Sequence, residues 1–176
     1  MTRRLGKLGE TVALLALGAA ALHLPLVPYA FGAHGLHMPD LVYCLAIAWT
    51  IRRPDEAPRW AILALGLAGD VMISRPPGIG ALGLLLAAEA ARSSAASLRA
   101  GPFAAEWITA VGLFGALLLG MQAALRLVFL GGAAWGDLLR HAAATAVAYP
   151  ALAALLVVML GMRGARRPSE RLGRVG

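Results

Sequence analysis

A chain of 176 residues that is 60% apolar and only 14% charged excludes a disordered protein, which needs the opposite balance. It also departs from soluble domains, where about 25% of residues are charged, and its mean hydropathy is +0.73. The net charge of +7 comes from 16 basic and 9 acidic residues, and the basic ones lie between and beyond long apolar runs. That placement points to membrane topology signals and not to a nucleic-acid surface.

A spanning helix needs about 20 mostly apolar residues. Six apolar segments follow one another, at residues 11–31, 36–51, 60–73, 80–91, 103–130 and 138–162. The first, fifth and sixth are long enough to cross, and the middle three are short. Pro39, Pro54, Pro58, Pro76, Pro77 and Pro102 mark their boundaries, as expected of a residue that lacks an N–H and disfavours helix before it. Arg3, Arg4 and Lys7 ahead of the first run resemble a signal peptide. The run is about 21 residues, longer than an h-region of about 7–15, and is expected to be an uncleaved first span.

Six spans with both termini in the cytoplasm place 13 of the 16 basic residues inside and leave Arg75, Arg126 and Arg140 outside. This asymmetry is what the positive-inside rule demands. A four-span version, with residues 60–91 as a re-entrant hairpin around 74–78, also keeps the termini inside. The expected organisation is a basic N-terminus (1–10), one six-helix transmembrane domain (11–162) and a basic cytoplasmic tail (163–176). The tail is suited to anchoring at anionic lipid or to docking a cytoplasmic protein. The expected fold class is a multi-pass, all-α integral membrane bundle.

Ionisable groups inside spans are costly and are functional suspects by default. Glu10, Glu89 and Glu106 fall near the inner ends of their spans, where interfacial ion pairs account for them. Arg92 stands three residues after Glu89, a favourable helix spacing. Asp70 lies about one turn from the outer end of the third segment, at a depth similar to Arg126. It is predicted to face the bundle and pair with Arg126, or else with Arg75 or Arg140. The other structural role open to it is to accept hydrogen bonds from backbone N–H groups of the turn at 75–80. A lone carboxylate is a poor proton relay. His23, mid-segment, is expected to hydrogen-bond a neighbouring helix. His34 and His37 lack the further ligands a metal needs. The one cysteine, Cys44, excludes an internal disulfide and a Cys-based zinc cluster. No Ser/His/Asp grouping or phosphate-cradling loop is present, so no enzyme, cofactor or metal is expected. Gly83, Ala87 and Ala91, and likewise Gly112, Ala116 and Gly120, are spaced by four. Such small-residue faces let membrane helices pack closely, within the chain or in a homodimer. Gln122 and Arg126 are expected to share a polar face.

The middle of the chain carries an ordered set of motifs. Pro39-Asp40-Leu41 opens a span that closes on Arg52-Arg53-Pro54; Gly66-Leu67-Ala68-Gly69-Asp70 follows, then Pro77-Gly78-Ile79-Gly80-Ala81-Leu82. This order resembles MreD, the rod shape-determining membrane protein family of bacteria, over roughly residues 36–90. One departure is that Pro77 and Gly78 are adjacent, where the family has an apolar residue between them. The resemblance implies a non-catalytic scaffold of the cell-elongation machinery. Its implied partners are MreC, RodA, a class B penicillin-binding protein and MreB filaments, with membrane lipid around it and no nucleic acid. It also implies a fold similar to the substrate-binding subunits of energy-coupling-factor transporters. On this basis Pro39, Asp40, Arg53, Pro54, Gly66, Asp70, Pro77, Gly78 and Arg126 are expected to be structural or partner-binding. Gly83, Ala87, Gly112, Ala116 and Gly120 are expected in helix packing. The competing reading is a vitamin-type transporter subunit, with Asp70, Arg126, Trp135 and His34 near its ligand.

Overall fold

The computed structural model describes residues 2–24, 38–74, 76–127 and 132–161. Among them there are six helices and no strand: α1 (Thr2–His23), α2 (Leu41–Arg52), α3 (Arg59–Met72), α4 (Ile79–Ala100), α5 (Phe103–Leu127) and α6 (Trp135–Leu160). The chain alternates direction through the bundle. One end gathers the α3–α4 turn and the starts of α2 and α6. The other gathers the α2–α3 loop and the start of α5.

Three helices, α4, α5 and α6, are long and apolar enough to cross a membrane. The fourth segment therefore extends beyond the expected 80–91. Arg92, Ser93, Ser94 and Arg99 continue the helix instead of ending it, because two of those side chains bond to the α2 end and the loop beyond it. The 12-residue α2 reaches only about 18 Å at 1.5 Å per residue. Its shortness is explained by its position: every residue from Val42 to Ile51 is buried. A helix apolar all round belongs in the interior. It is wrapped mainly by α4, α1 and α6 and need not meet lipid along its length.

Local chemistry fixes the ends of α2. The Asp40 carboxylate accepts the Tyr43 N–H at 2.8 Å, a helix N-cap, while the Asp40 N–H donates to Thr145 Oγ1 at 3.0 Å. At the far end Arg53 caps the last turn through its N–H to the Trp49 carbonyl, and Pro54 cannot continue the helix. Tyr43 ties α2 to α5 by donating its hydroxyl to the Ala110 carbonyl at 2.6 Å. In α6, Pro150 lies inside the helix and cannot donate to the carbonyl of Ala146. The Trp107 indole N–H takes that acceptor at 2.9 Å, so a helix interruption becomes an α5–α6 tether.

The outer surface of the bundle is apolar. Leu82, Leu86, Ile108, Leu119, Leu139, Val147 and Val158 are all more than half exposed. Trp60, Phe103 and Trp135 are exposed at helix starts, where amphipathic rings sit at membrane interfaces. A soluble protein does not present so much contiguous apolar surface.

Candidate functional site: a capped turn, a cavity and a groove

Gly66, Asp70, Pro77 and Gly78 are brought together at the α3–α4 turn. Gly66 sits where α3 crosses α4; a Cβ there would lie 2.6 Å from the Ala81 Cα, so only glycine permits the approach. Asp70 is 2% exposed. Its Oδ2 accepts the N–H of Gly78 at 2.9 Å and of Ala81 at 3.1 Å. A carboxylate from the preceding helix thus caps α4, satisfying N–H groups that a helix start leaves orphaned and meeting the positive end of its dipole. Gly78 precedes α4 with φ +103°, a conformation that favours glycine.

This geometry corrects the predicted ion pair and bears out the other role expected of Asp70, as an acceptor for N–H groups of the turn. Arg126 is exposed on α5 and lies over the Trp135 ring, 5.5 Å from its centre. Arg140 approaches Asp137 at 3.7 Å. Backbone N–H groups lie closer to Asp70 than either cation and charge no rotamer entropy, so they take the carboxylate. Arg75, His34 and His37 lie outside the described residues. Gln122, one turn before Arg126 on α5, does not form an exposed polar face with it. It is buried and clamps the backbone of Ala133, donating to the carbonyl at 2.6 Å and accepting the N–H at 3.1 Å. His23 also departs from expectation: it is exposed, and Nδ1 lies 2.7 Å from the Ala19 carbonyl of its own helix.

Beside the capped turn lies a cavity of about 260 Å³. All six helices or their leading segments contribute to its wall. Its polar lining comes from Asp40, Asp70, Tyr43 and His141, and Pro39 and Gly66 also reach it. His141 Nδ1 is 2.8 Å from the Met38 carbonyl, so Nδ1 carries the proton there. No sequence signal singled out His141; its partner is 103 residues away.

At the opposite end Glu10, Glu89 and Glu106 are ion-paired. Glu106 and Arg52 meet at 2.6 Å with side chains 9% and 6% exposed, and the Tyr149 hydroxyl donates to the same Glu106 oxygen at 2.9 Å. Glu10 pairs with Arg53, which also contacts Glu56 at 3.2 Å. Glu89 accepts from Arg92 at 2.9 Å and Arg59 at 2.7 Å. Arg92 also donates to the carbonyls of Pro54 and, at 2.5 Å, Ala57, and Arg99 to that of Ile51 at 2.7 Å. Helix α4 therefore holds the end of α2 and the α2–α3 loop. The Glu89–Arg92 pair was legible from its spacing of three, whereas the bonds of Arg52 to Glu106, Arg92 to Ala57 and Arg99 to Ile51 join residues more than 30 apart and carry no local signal.

The small-residue ladders behave differently from one another. Gly83 and Ala87 face α5: a Cβ on Gly83 would meet Leu117 at 3.3 Å. On α5, Gly112 and Gly120 have open space beside them, and Ala116 is exposed, so this ladder does not pack within the described chain. Gly83, Ala87, Ala116 and Gly120 line an apolar groove of about 470 Å³ between α4 and α5, and Gly112 lies outside it. Among the described residues no cluster of His, Cys, Asp or Glu is suited to a metal. No family model matches the chain, and no curated protein or solved structure matches it either.

Proposed function

We propose that this chain is a non-catalytic, multi-pass scaffold of a bacterial inner membrane, similar to MreD, with six spans and both termini in the cytoplasm. In this reading it binds MreC, RodA and a class B penicillin-binding protein, with MreB filaments on the cytoplasmic side, and so maintains rod shape. The observation that carries the partner-binding part is the α4–α5 groove. Its floor is made of small residues, and its rims, Leu82 and Leu86, are more than half exposed. In lipid, close backbone approach and not apolar character drives helix association, and this groove offers such an approach to a partner's single span. The cluster of Arg52, Arg53, Arg59, Arg92 and Arg99 at one end supports the orientation, because that end becomes cytoplasmic under the positive-inside rule.

The test is co-purification of the tagged chain from its own membranes. The expected companions are a bitopic coiled-coil protein and cell-wall synthases. A side chain at position 120 meets nothing, so Gly120→Leu is expected to fold normally and to lose the bitopic partner. Full recovery of that partner with Gly120→Leu would refute the groove as its seat. A second reading, a vitamin-type transporter subunit, is favoured by the cavity alone. It requires two ATPases and a coupling membrane protein to purify with the chain. Arg126 and Trp135, bonded to each other outside the cavity lining, are not its ligand contacts.

A further inference from the structure

The cavity beside Asp70 presents acidic side chains to an otherwise apolar space. Among the described residues its wall carries two carboxylates, Asp40 and Asp70, and neither a lysine nor an arginine. Asp70 spends Oδ2 on both the Gly78 and Ala81 N–H groups. Its Oδ1 receives no hydrogen bond from the described residues. That oxygen lies against Gly80, where any Cβ would fall on it, and Gly80 itself lines the cavity. Glycine at position 80 therefore leaves Oδ1 open to the space. Asp40 likewise commits Oδ1 to the Tyr43 N–H. His141, held by Nδ1 on the Met38 carbonyl, also lines the cavity. The remainder of the wall is apolar, including Leu65, Leu84, Leu117 and Met121.

We infer that this cavity is a binding site for a primary alkylammonium, with the charged –NH3+ group at Asp70 Oδ1 and the aliphatic chain along the leucine and methionine wall. Ionised carboxylates in a membrane bundle are stable only with a counter-charge or hydrogen-bond donors. A primary ammonium supplies both, with three donors on a compact charge. The volume of about 260 Å³ exceeds the roughly 150 Å³ that takes a benzene ring, so an unbranched chain of about six carbons fits. A free amine suits the site better than an ethanolamine lipid headgroup. The lipid brings its phosphate within a few bonds of the ammonium, to a wall where, among the described residues, no lysine or arginine meets it. The inference rests on neither reading of the protein's role, since it concerns what the isolated chain accepts.

The test is thermal unfolding of the purified full chain in uncharged detergent, titrated with hexylammonium, hexanol or hexanoate. Hexylammonium is expected to raise the midpoint saturably, since a ligand of the folded state alone stabilises it; hexanol and hexanoate are not. Asp70→Asn keeps an acceptor for Gly78 and Ala81, removes the charge and is expected to weaken hexylammonium at least tenfold. Asp40→Asn, which keeps the α2 cap, is expected to weaken it too, and carries the test if Asp70→Asn does not fold. Equal stabilisation by hexanol would overturn the inference, as would no response to hexylammonium or undiminished binding in the folded variants. So would stabilisation by phosphatidylethanolamine over phosphatidylcholine vesicles without any response to the free amine. Failure here leaves the co-purification result untouched.

Discussion

Removing the Glu106 carboxylate tests whether the ion lattice at the arginine-rich end holds the bundle together. Glu106→Ala leaves the Arg52 guanidinium, 6% exposed, without its acid, and strips the buried Tyr149 hydroxyl of its acceptor. Breaking one side of a buried ion pair costs about 3–5 kcal/mol, most of it from the charge left behind. For a chain of this size each kcal/mol moves the midpoint by about 2–4 °C. The expected loss is therefore roughly 6–20 °C in a detergent melt followed by size-exclusion fluorescence. Removing both charges should cost less than the sum of the single losses. Arg52→Met with Glu106→Leu takes away the penalty along with the pair, and replacements of that kind are often neutral. Tyr149→Phe should cost about 1.5–3 kcal/mol for one bond to a charged group. A drop below about 3 °C for Glu106→Ala, or strict additivity in the double variant, would refute the claim that these groups form one buried unit.

Asp70→Ala leaves the Gly78 and Ala81 N–H groups without their acceptor at about 1–3 kcal/mol each; it should lower protein abundance in membranes, and Asp70→Asn should recover most of it by immunoblot. Normal abundance of Asp70→Ala would show that α4 does not need this cap. Arg92→Ala removes bonds to Glu89, Pro54 and Ala57 at once and should expose the α2–α3 loop to limited proteolysis. Arg92→Lys, a point charge without the planar fork, should protect it only partly, and equal protection of Lys and wild type would refute the fork's role. Gly66→Val should separate α3 from α4, with a midpoint loss larger than that of Gly69→Val, whose Cβ would stay 3.5 Å from Leu22; equal losses would refute the tight crossing.

The elements were legible where the signal was local. The Pro39-Asp40-Leu41 entry is an N-cap followed by a helix, and Arg52-Arg53-Pro54 is a helix stop; both need only neighbours to work. The start of α5 after Pro102 was legible for the same reason, as were Glu89 and Arg92 at their spacing of three, whereas α4 continues to Ala100, beyond its expected end at 91. The partner of Asp70 was harder. Depth along a helix places two residues at one level, but it does not give the angle around the helix axis. Arg126 meets the level and points elsewhere, towards Trp135. The turn N–H groups are the nearer donors, because the start of α4 leaves its first N–H groups without partners inside the helix.

The same limit explains what was not legible at the other end. Arg52 read as a topology signal and Glu106 as an interfacial charge, and each reading is locally correct. That they meet, with Tyr149 donating to the same oxygen, depends on α2 being central, and no periodicity in α2 reveals this, because a wholly buried helix has no polar face to orient it. The ladders make the converse point. Both have the spacing that permits close packing, yet only Gly83 and Ala87 lean on α5, while Ala116 and Gly120 face outward into the groove. A small-residue spacing is a permission, and the second surface that uses it must come from another helix. For α4 that helix is within this chain. For α5, among the described residues, it is not, and so the stripe that does no work inside the fold is the one on which partner binding should be sought.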